Sequence, residues 1–236
     1  MKKQFIYLFL SLAVMISACK KDNYKAPDTT ISGNVVDAAT GANVPQQTLN
    51  GAKIRLYQTD YSNPQPINSS IHADGSYEND FIFSGNYKVV AEGPFFYTDT
   101  VKLNIKGSAK QDLKVTPYLT VTCQLLSKTA SSITVKVKIK RSAQNTQKIA
   151  RVAVIAGTTN STDINNYYNL NTTNNGRVLE NTEAVADADA ITKDYTFTLS
   201  SLTPGTLYYV RGCARTINTG NFYNYAPMLE ITTDAQ

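Results

Sequence analysis

The chain has 236 residues and a formal net charge of +5, with 23 Lys and Arg against 18 Asp and Glu. This excess is small and spread along the predicted strands, which argues against a nucleic-acid-binding protein. A single histidine and three cysteines exclude metal sites built from His and Cys clusters. The absence of tryptophan, together with fifteen tyrosines, eight phenylalanines and abundant Thr and Val, favours an all-β protein.

The first eighteen residues have the pattern of an export signal. Lys2 and Lys3 precede an apolar run, Phe5–Ile16, that is well short of the ~20 residues needed to span a bilayer. The stretch Ile16-Ser17-Ala18-Cys19 resembles the lipobox of bacterial lipoproteins. This resemblance implies cleavage after residue 18 and a membrane anchor of several acyl chains on Cys19. The alternative is an ordinary export signal with an accidental cysteine.

Residues 19–28 are predicted to be an acylated, solvated tether. They hold charged and polar side chains and a proline, without an apolar period. Lys20-Lys21-Asp22 partly resembles the export tag of surface-exposed Bacteroidota lipoproteins, and this resemblance favours an outer-membrane protein that faces the cell exterior.

A first antiparallel β-sandwich is predicted over residues 29–116. Alternation is clearest where Ala52, Ile54 and Leu56 share one face, and no stretch has a helical period. Further strands are predicted at Thr30–Val36, Asn86–Glu92, Val101–Ile105 and Asp112–Thr116. Four segments in this order resemble the carboxypeptidase-regulatory or transthyretin-like sandwich: Ile31–Asp37 with Thr40-Gly41, Ala52–Leu56, Asp74–Tyr77 and Gly85–Val89. That family is usually a structural or adhesive module.

A second antiparallel β-sandwich is predicted over residues 117–236. Ser132–Lys140 alternates apolar and polar residues, and Lys148–Ala156 is almost continuously apolar, as in a central strand. Leu202–Tyr208 resembles the tyrosine corner of fibronectin type III domains, followed by that family's last two strands at Tyr208–Arg215 and Met228–Thr232. The asparagine-rich residues 157–193 are longer than the usual crossing between the sheets of that family.

The residues of common catalytic and metal sites are sparse. His72 lies in a polar loop ahead of Asp74-Gly75 and is interpreted as a surface residue. Asp187 and Asp189 lack the further ligands of a calcium loop and are interpreted as a solvated acidic turn. We therefore predict a protein that is not an enzyme and needs neither cofactor nor metal. A carboxylate pair formed by distant residues remains an open alternative.

The two cysteines beyond Cys19 are predicted to be free thiols. Alternation places Cys123 on the inner face of its strand and Cys213 on the face opposite Tyr208. Their Cβ vectors should therefore diverge, and no disulfide can form between them.

Aromatic residues in predicted loops are candidates for ligand binding. Phe222, Tyr223 and Tyr225 precede the last strand, and Tyr167 and Tyr168 lie among asparagines. Flat rings can cover the apolar faces of sugars while Asn and Asp side chains bind hydroxyl groups. The alternative is that loop rings plug the sandwiches or pack them together, which we favour for Phe95 and Phe96.

As a whole, the order of lipobox, transthyretin-like sandwich and fibronectin-like sandwich resembles the Bacteroidota lipoproteins of the domain-of-unknown-function 3823 family. The resemblance implies an accessory of polysaccharide capture beside an outer-membrane importer of the starch-utilisation type, but it supplies no binding residues. We therefore expect a non-catalytic outer-membrane lipoprotein that holds or presents a glycan. The alternative is a structural or adhesive subunit that contacts another protein and binds no sugar.

Overall fold

The computed structural model describes residues 25–96, 99–169 and 176–236. Within these ranges the chain forms seventeen strands and one short helix, which confirms the prediction of an all-β protein with two sandwiches. The predicted signal peptide and the lipid-attachment residue Cys19 lie outside the described residues. No helix among the described residues is long and apolar enough to cross a membrane.

The N-terminal sandwich contains nine strands in two sheets. One sheet has the order β4-β1-β9-β6 with β8 beside β1, and the other has the order β3-β2-β5-β7. The strands are β1 (Thr29–Asp37), β2 (Lys53–Gln58), β3 (Pro66–Ser70), β4 (Ser76–Ile82), β5 (Gly85–Glu92), β6 (Phe95–Phe96), β7 (Val101–Ile105), β8 (Ser108–Lys110) and β9 (Leu113–Pro117). Most pairs are antiparallel, but β1 pairs in parallel with β8 along its first half and with β9 along its second half.

The core of this sandwich follows the predicted alternation. Ile54 and Leu56 of β2 are fully buried, and so is Val89 of β5 opposite Leu56. Each such side chain stabilises the fold by about 1.5–3 kcal/mol through removal of apolar surface from water. Strand β2 therefore has one face in the core and one face in solvent.

Strand β4 contains a bulge that the sequence pattern does not reveal. Thr29 pairs with Ile82 while Ile31 pairs with Asn79, so β4 has one more residue than β1 in this interval. A bulge of this kind changes which side of the sheet the next residue faces. Ile82 consequently occupies the core with 1% exposure, whereas Phe81 is 68% exposed.

The C-terminal sandwich has one sheet of order β10-β11-β14 and a second of order β13-β12-β15-β16, with β17 also paired to β15. Its elements are β10 (Leu119–Lys128), β11 (Ile133–Arg141), β12 (Ile149–Gly157), β13 (Arg177–Asn181), α1 (Asp187–Thr192), β14 (Tyr195–Leu199), β15 (Leu207–Thr216), β16 (Asn224–Tyr225) and β17 (Leu229–Thr232). The main core lies between the two sheets. The predicted tyrosine corner is present, because the amide of Thr203 donates to the Tyr208 hydroxyl at 2.9 Å.

A second apolar cluster covers the outer face of β12 and β15. Ala153, Ile155 and Cys213 pack there against Ile164 of the following segment and against Tyr225. Both faces of β12 are therefore buried, which explains its almost continuous apolar sequence. Part of the asparagine-rich segment serves as a cover for this sheet.

The interpretation of Asp187 as part of a solvated turn is wrong. Asp187 begins α1, and its carboxylate accepts hydrogen bonds from the Arg141 guanidinium and from the amide of Ile149. Burial by itself would raise the pKa of Asp187, but the Arg141 hydrogen bond and charge, with the Ile149 amide, bring it below the usual value. The residue links the helix to β11 and β12.

The two sandwiches are joined through a short, hydrogen-bonded connection. Only Tyr118 separates β9 from β10, and its amide donates to the carbonyl oxygen of Pro94 at 3.0 Å. The Asn224 side chain donates to the same carbonyl at 2.9 Å and accepts the amide of Leu119 at 3.1 Å. Phe96 meets the Tyr118 ring edge to face, with centroids 5.0 Å apart.

Candidate functional site

Tyr223 and Tyr225 lie inside the protein. Tyr223 is 5% exposed and Tyr225 is 3% exposed. The guanidinium carbon of Arg211 lies 4.1 Å from the Tyr225 ring centroid, and the fully buried Arg211 donates to the carbonyl oxygens of Thr162 at 3.1 Å and Ala73 at 3.2 Å. Burial raises the pKa of Tyr225 well above its usual value. The prediction that these two rings stack on a sugar must be corrected, because their faces are occupied by the protein itself.

Asp163 is a buried carboxylate that joins the two sandwiches. Its Oδ2 accepts the hydroxyl of Thr48 and the amide of Leu49, both at 2.8 Å. Its Oδ1 accepts the amides of Asn165 at 2.7 Å and Asn166 at 3.0 Å. Four donors compensate the carboxylate for its removal from water. The Arg211 and Asp163 contacts together fix the two sandwiches to each other.

Tyr167 and Tyr168 are half-buried and support the fold. The Arg177 guanidinium carbon lies 4.5 Å from the Tyr167 ring centroid. Tyr168 meets Tyr208 edge to face at 5.2 Å, and its hydroxyl is 2.8 Å from that of Thr203. Neither tyrosine lines the cavities described below.

Phe222 is held in place by its own loop. The Asn218 side chain accepts the Phe222 amide at 2.9 Å and donates to the Phe222 carbonyl oxygen at 3.0 Å. Gly220 has a φ of 93°, and a Cβ there would come within 2.7 Å of the Phe222 ring. Glycine is therefore required for both the backbone conformation and the ring position. The Phe222 side chain is half-buried, and its backbone is held by hydrogen bonds within the loop.

A groove runs from Phe222 along the outer face of β2 and β5. It consists of two cavities of about 400 and 230 Å³ that share Phe222 and Glu92. We call it the Phe222 groove. Its aromatic side chains are Tyr57, Phe95, Tyr118 and Phe222, and its polar side chains include Asn50, Lys53, Arg55, Lys88 and Glu92.

The Phe222 groove has accessible charged groups, two of which form an ion pair. Arg55 and Glu92 form an ion pair at 2.5 Å, with side chains that are 36% and 48% exposed. The Lys88 ammonium lies 5.9 Å from the Tyr57 ring centroid. The flat rings can pack against an apolar surface of a ligand. The exposed carboxylate, guanidinium and ammonium groups beside them can bind hydroxyl groups at the rim of that surface.

A separate cavity of about 590 Å³ lies between the two sandwiches. Its walls include Thr48, His72 and Asp74 from the first sandwich and Ser161 and Met228 from the second. It is larger than either cavity of the Phe222 groove taken singly, but it has no Phe or Tyr ring in its lining.

The only histidine belongs to a turn beside this cavity. The Nδ1 atom of His72 is 3.0 Å from the Ser76 hydroxyl, and that hydroxyl donates to Asp74 at 2.7 Å. In a hydrolytic triad the histidine lies between hydroxyl and carboxylate, whereas here the serine does. Burial would raise the pKa of Asp74, but the Ser76 hydrogen bonds and the His72 charge bring it below its usual value. These contacts stabilise the turn that ends at Gly75.

The described residues hold no group of three or more His, Cys, Asp or Glu side chains that could bind a metal ion. Cys123 and Cys213 are both free thiols, as predicted. Cys123 of β10 packs against the main core between the two sheets, whereas Cys213 of β15 belongs to the cluster on the outer face of the other sheet.

Part of the groove was not predicted from the sequence. The alternation that puts Ile54 and Leu56 on one face of β2 leaves Arg55 and Tyr57 on the other, solvent-facing side. It cannot show which residues of β5 lie beside them. In the structure Lys53 is opposite Glu92 and Tyr57 is opposite Lys88. The prediction that Phe95 and Phe96 pack within the protein is confirmed, since Phe95 is 3% exposed and Phe96 packs on Tyr118.

Solved structures of Bacteroides and Parabacteroides proteins share this fold. A DUF3823 family protein from Bacteroides uniformis is 21% identical, with a TM-score of 0.73 over 88% of this chain and 100% of that one. One from Parabacteroides merdae is 22% identical, with a TM-score of 0.69 over 88% of this chain and 100% of that one. A candidate carbohydrate binding protein from B. uniformis is 23% identical, with a TM-score of 0.70 over 87% of this chain and 99% of that one.

No curated protein matches the chain significantly. The family model described as "Protein of unknown function (DUF3823) N-terminal domain" matches residues 29–116, which include strands β1 to β8 and most of β9. The N-terminal sandwich therefore corresponds to the DUF3823 N-terminal domain, and the fold of the chain is that of the solved DUF3823 family proteins.

Proposed function

We propose that this chain is a non-catalytic, lipid-anchored protein that holds a glycan in the Phe222 groove. The observation that carries the proposal is the Phe222 ring, which lines a groove with the exposed Arg55–Glu92 ion pair and whose backbone is held by Asn218. A sugar ring has an apolar face and a rim of hydroxyl groups, and the groove offers a matching aromatic surface with donors and acceptors next to it. The description of one structural relative as a candidate carbohydrate binding protein supports the same ligand class.

The proposed binding is weak at a single site. The groove is open to solvent along the sheet, and a glycan in it retains much of its hydration. We expect a dissociation constant in the ~μM–mM range for a short oligosaccharide. Many anchored copies that bind one polymer would retain it far more strongly than one copy does.

The proposed anchor is Cys19, with the protein on the outer membrane, facing the cell exterior beside an importer of the starch-utilisation type. Incorporation of a palmitate analogue into the full-length chain in a Bacteroidota host tests the anchor. We expect labelling of the wild type and none of Cys19→Ala. Equal labelling of both would contradict acylation at this residue.

Electrophoresis in gels that contain polysaccharides tests the binding site. The proteins compared are a fragment of residues 20–236, its Phe222→Ala variant and its Ile217→Ala variant. Ile217 is a matched control because it precedes Phe222 in the same loop, is 56% exposed and does not line the groove. We expect at least one polysaccharide to retard the wild-type fragment. Phe222→Ala should lose about tenfold in affinity for it, equivalent to ~1.4 kcal/mol of binding free energy, whereas Ile217→Ala should bind as tightly as the wild type.

Two results would contradict the proposal. Retardation that is equal in the wild type and in Phe222→Ala would place the glycan elsewhere. No retardation across a broad panel would favour the alternative function, a structural or adhesive subunit that contacts another protein.

A further inference from the structure

Three large aromatic side chains are exposed at one end of the N-terminal sandwich. Phe81 is 68% exposed, Phe83 is 43% exposed and Tyr61 is 62% exposed. The loop of Tyr61 is tied to the turn after Phe83, because Asp60 accepts the amide of Asn86 at 2.8 Å. We call these three residues the tether-side patch.

Phe81 is exposed because of the bulge in the backbone of β4. Without the β4 bulge, Phe81 would follow Tyr77 and Asn79 on the face of the sheet that points into the sandwich. The extra residue gives that position to Ile82 and turns Phe81 outward. One exposed ring is ordinary, but three grouped at one end of a sandwich form an apolar surface that is available to a partner outside the chain.

The patch lies where the chain enters the sandwich. Thr29 is the partner of Ile82, between the two exposed phenylalanines, and its hydroxyl is 2.9 Å from that of Ser84. The contact with the C-terminal sandwich is at the opposite end, since β5 starts at Gly85 and ends next to the Gly93-Pro94 segment that binds Tyr118. The patch and the start of the folded chain therefore share one end of the molecule.

The length of chain before Thr29 limits how far the patch can lie from the proposed anchor. Residues 19–28 are all that separates Cys19 from β1. Fully extended, they reach ~35 Å, and as a flexible coil they average roughly 17 Å. A bilayer that holds Cys19 is consequently within reach of the patch at all times.

We propose that the tether-side patch rests in the interfacial layer of the lipid bilayer. This inference rests on the proposed anchoring at Cys19. Aromatic rings are favoured at the boundary between head groups and acyl chains, and an anchored protein meets that boundary at a high effective concentration. Charges of both signs lie near the patch: Asp60 and Asp80 are the chain neighbours of Tyr61 and Phe81, and Lys106 follows Ile105, the partner of Gly85. The contact therefore depends on ring insertion and does not require anionic lipid.

This contact orients the whole molecule. With the tether-side patch on the bilayer, β5 points away from it and ends at Glu92, which lines the Phe222 groove together with Phe222. Eight residues of extended strand correspond to ~26 Å. The Phe222 side of the groove is thereby held clear of the lipid head groups and turned towards a polymer outside the cell.

The absence of tryptophan allows a direct test. A fragment of residues 19–236 is coupled through its Cys19 thiol to maleimide lipids in phosphatidylcholine vesicles. The Phe81→Trp variant of this fragment contains a single tryptophan, whose fluorescence reports on that position alone. The whole chains of solved relatives align with 88% of this chain, so a fragment of this extent contains the folded unit. The matched control is Leu126→Trp, which replaces a 46% exposed side chain on β10 of the other sandwich.

Brominated lipids quench tryptophan only on close contact. We expect a blue shift and at least twofold quenching for Phe81→Trp and neither effect for Leu126→Trp. No quenching of Phe81→Trp, or equal quenching of both, would overturn the proposal and leave the patch as a surface for a protein partner. In this experiment Cys19 is attached to lipid chemically, whether or not it is acylated in the cell. The outcome is therefore independent of the palmitate experiment, and failure of one does not imply failure of the other.

Discussion

Arg211 of the C-terminal sandwich donates a hydrogen bond to the carbonyl oxygen of Ala73 in the N-terminal sandwich, at 3.2 Å. The same buried guanidinium also bonds to Thr162 and covers the ring of Tyr225. Burial lowers the pKa of Arg211, although the Tyr225, Cys213 and Asp163 groups oppose the shift. A charged group in this position is stable only while each of its contacts is made.

Substitution of Arg211 by lysine should therefore destabilise the protein although the charge is kept. Lysine has no planar fork, so it cannot reach both carbonyl oxygens and cover the Tyr225 ring at once. We expect a loss of about 2–4 kcal/mol in the free energy of unfolding, measured in urea. Arg177→Lys is the control, since the half-buried Arg177 also lies over a tyrosine ring. Losses of equal size in the two variants would contradict a special role for Arg211.

Asp163→Asn should loosen the contact between the sandwiches. An amide replaces one carboxylate oxygen by a donor, so two of the four hydrogen bonds that Asp163 accepts face an NH₂ group. We expect a loss of about 2–3 kcal/mol and faster hydrogen exchange of the Leu49 amide. Asp189→Asn, at an exposed position of α1, should change neither quantity. Unchanged protection of the Leu49 amide in Asp163→Asn would show that this carboxylate does not hold the sandwiches together.

The two thiols should be unreactive in the native protein. Burial raises the pKa of Cys123 to about 11 and that of Cys213 to about 12, so neither forms a thiolate at neutral pH. A thiol reagent at about pH 8 should label no cysteine of the native fragment 20–236 and two after denaturation. Rapid labelling of the native protein would contradict the raised pKa values of these thiols.

Periodicity predicted much of the fold because most strands have one face in a core. Strands β2 and β11 have this pattern, and the structure places them within a few residues of the predicted ranges. Strand β4 could not be predicted, because its sequence is mostly polar and its pairing with β1 includes a bulge. In this strand, tertiary pairing outweighs local preference.

The candidate site was predicted less well than the fold. Phe222 and Tyr223 are neighbours in the sequence, yet one lines the groove and the other is buried. That difference depends on the loop conformation set by Asn218 and Gly220 and on the segment that covers β12 and β15, neither of which has a periodic signal. Distant contacts therefore determine which aromatic residues are available to a ligand.

The free energy of unfolding should fall at alkaline pH partly because of Cys213. Its folded pKa of about 12 lies above the reference value of 9.0, so the unfolded chain loses the proton first. The contribution of the Cys213 thiol to the free energy of unfolding is fully present below pH 9. It is lost as the pH rises towards 12, by up to ~1.4 kcal/mol per pH unit. Cys213→Ala removes this ionisation. Between pH 8 and 11 the free energy of unfolding, measured in urea, should therefore fall less steeply with pH than in the wild type. The difference in slope should correspond to about one proton. Identical slopes would mean that the thiol ionises as readily in the folded protein as in the unfolded chain.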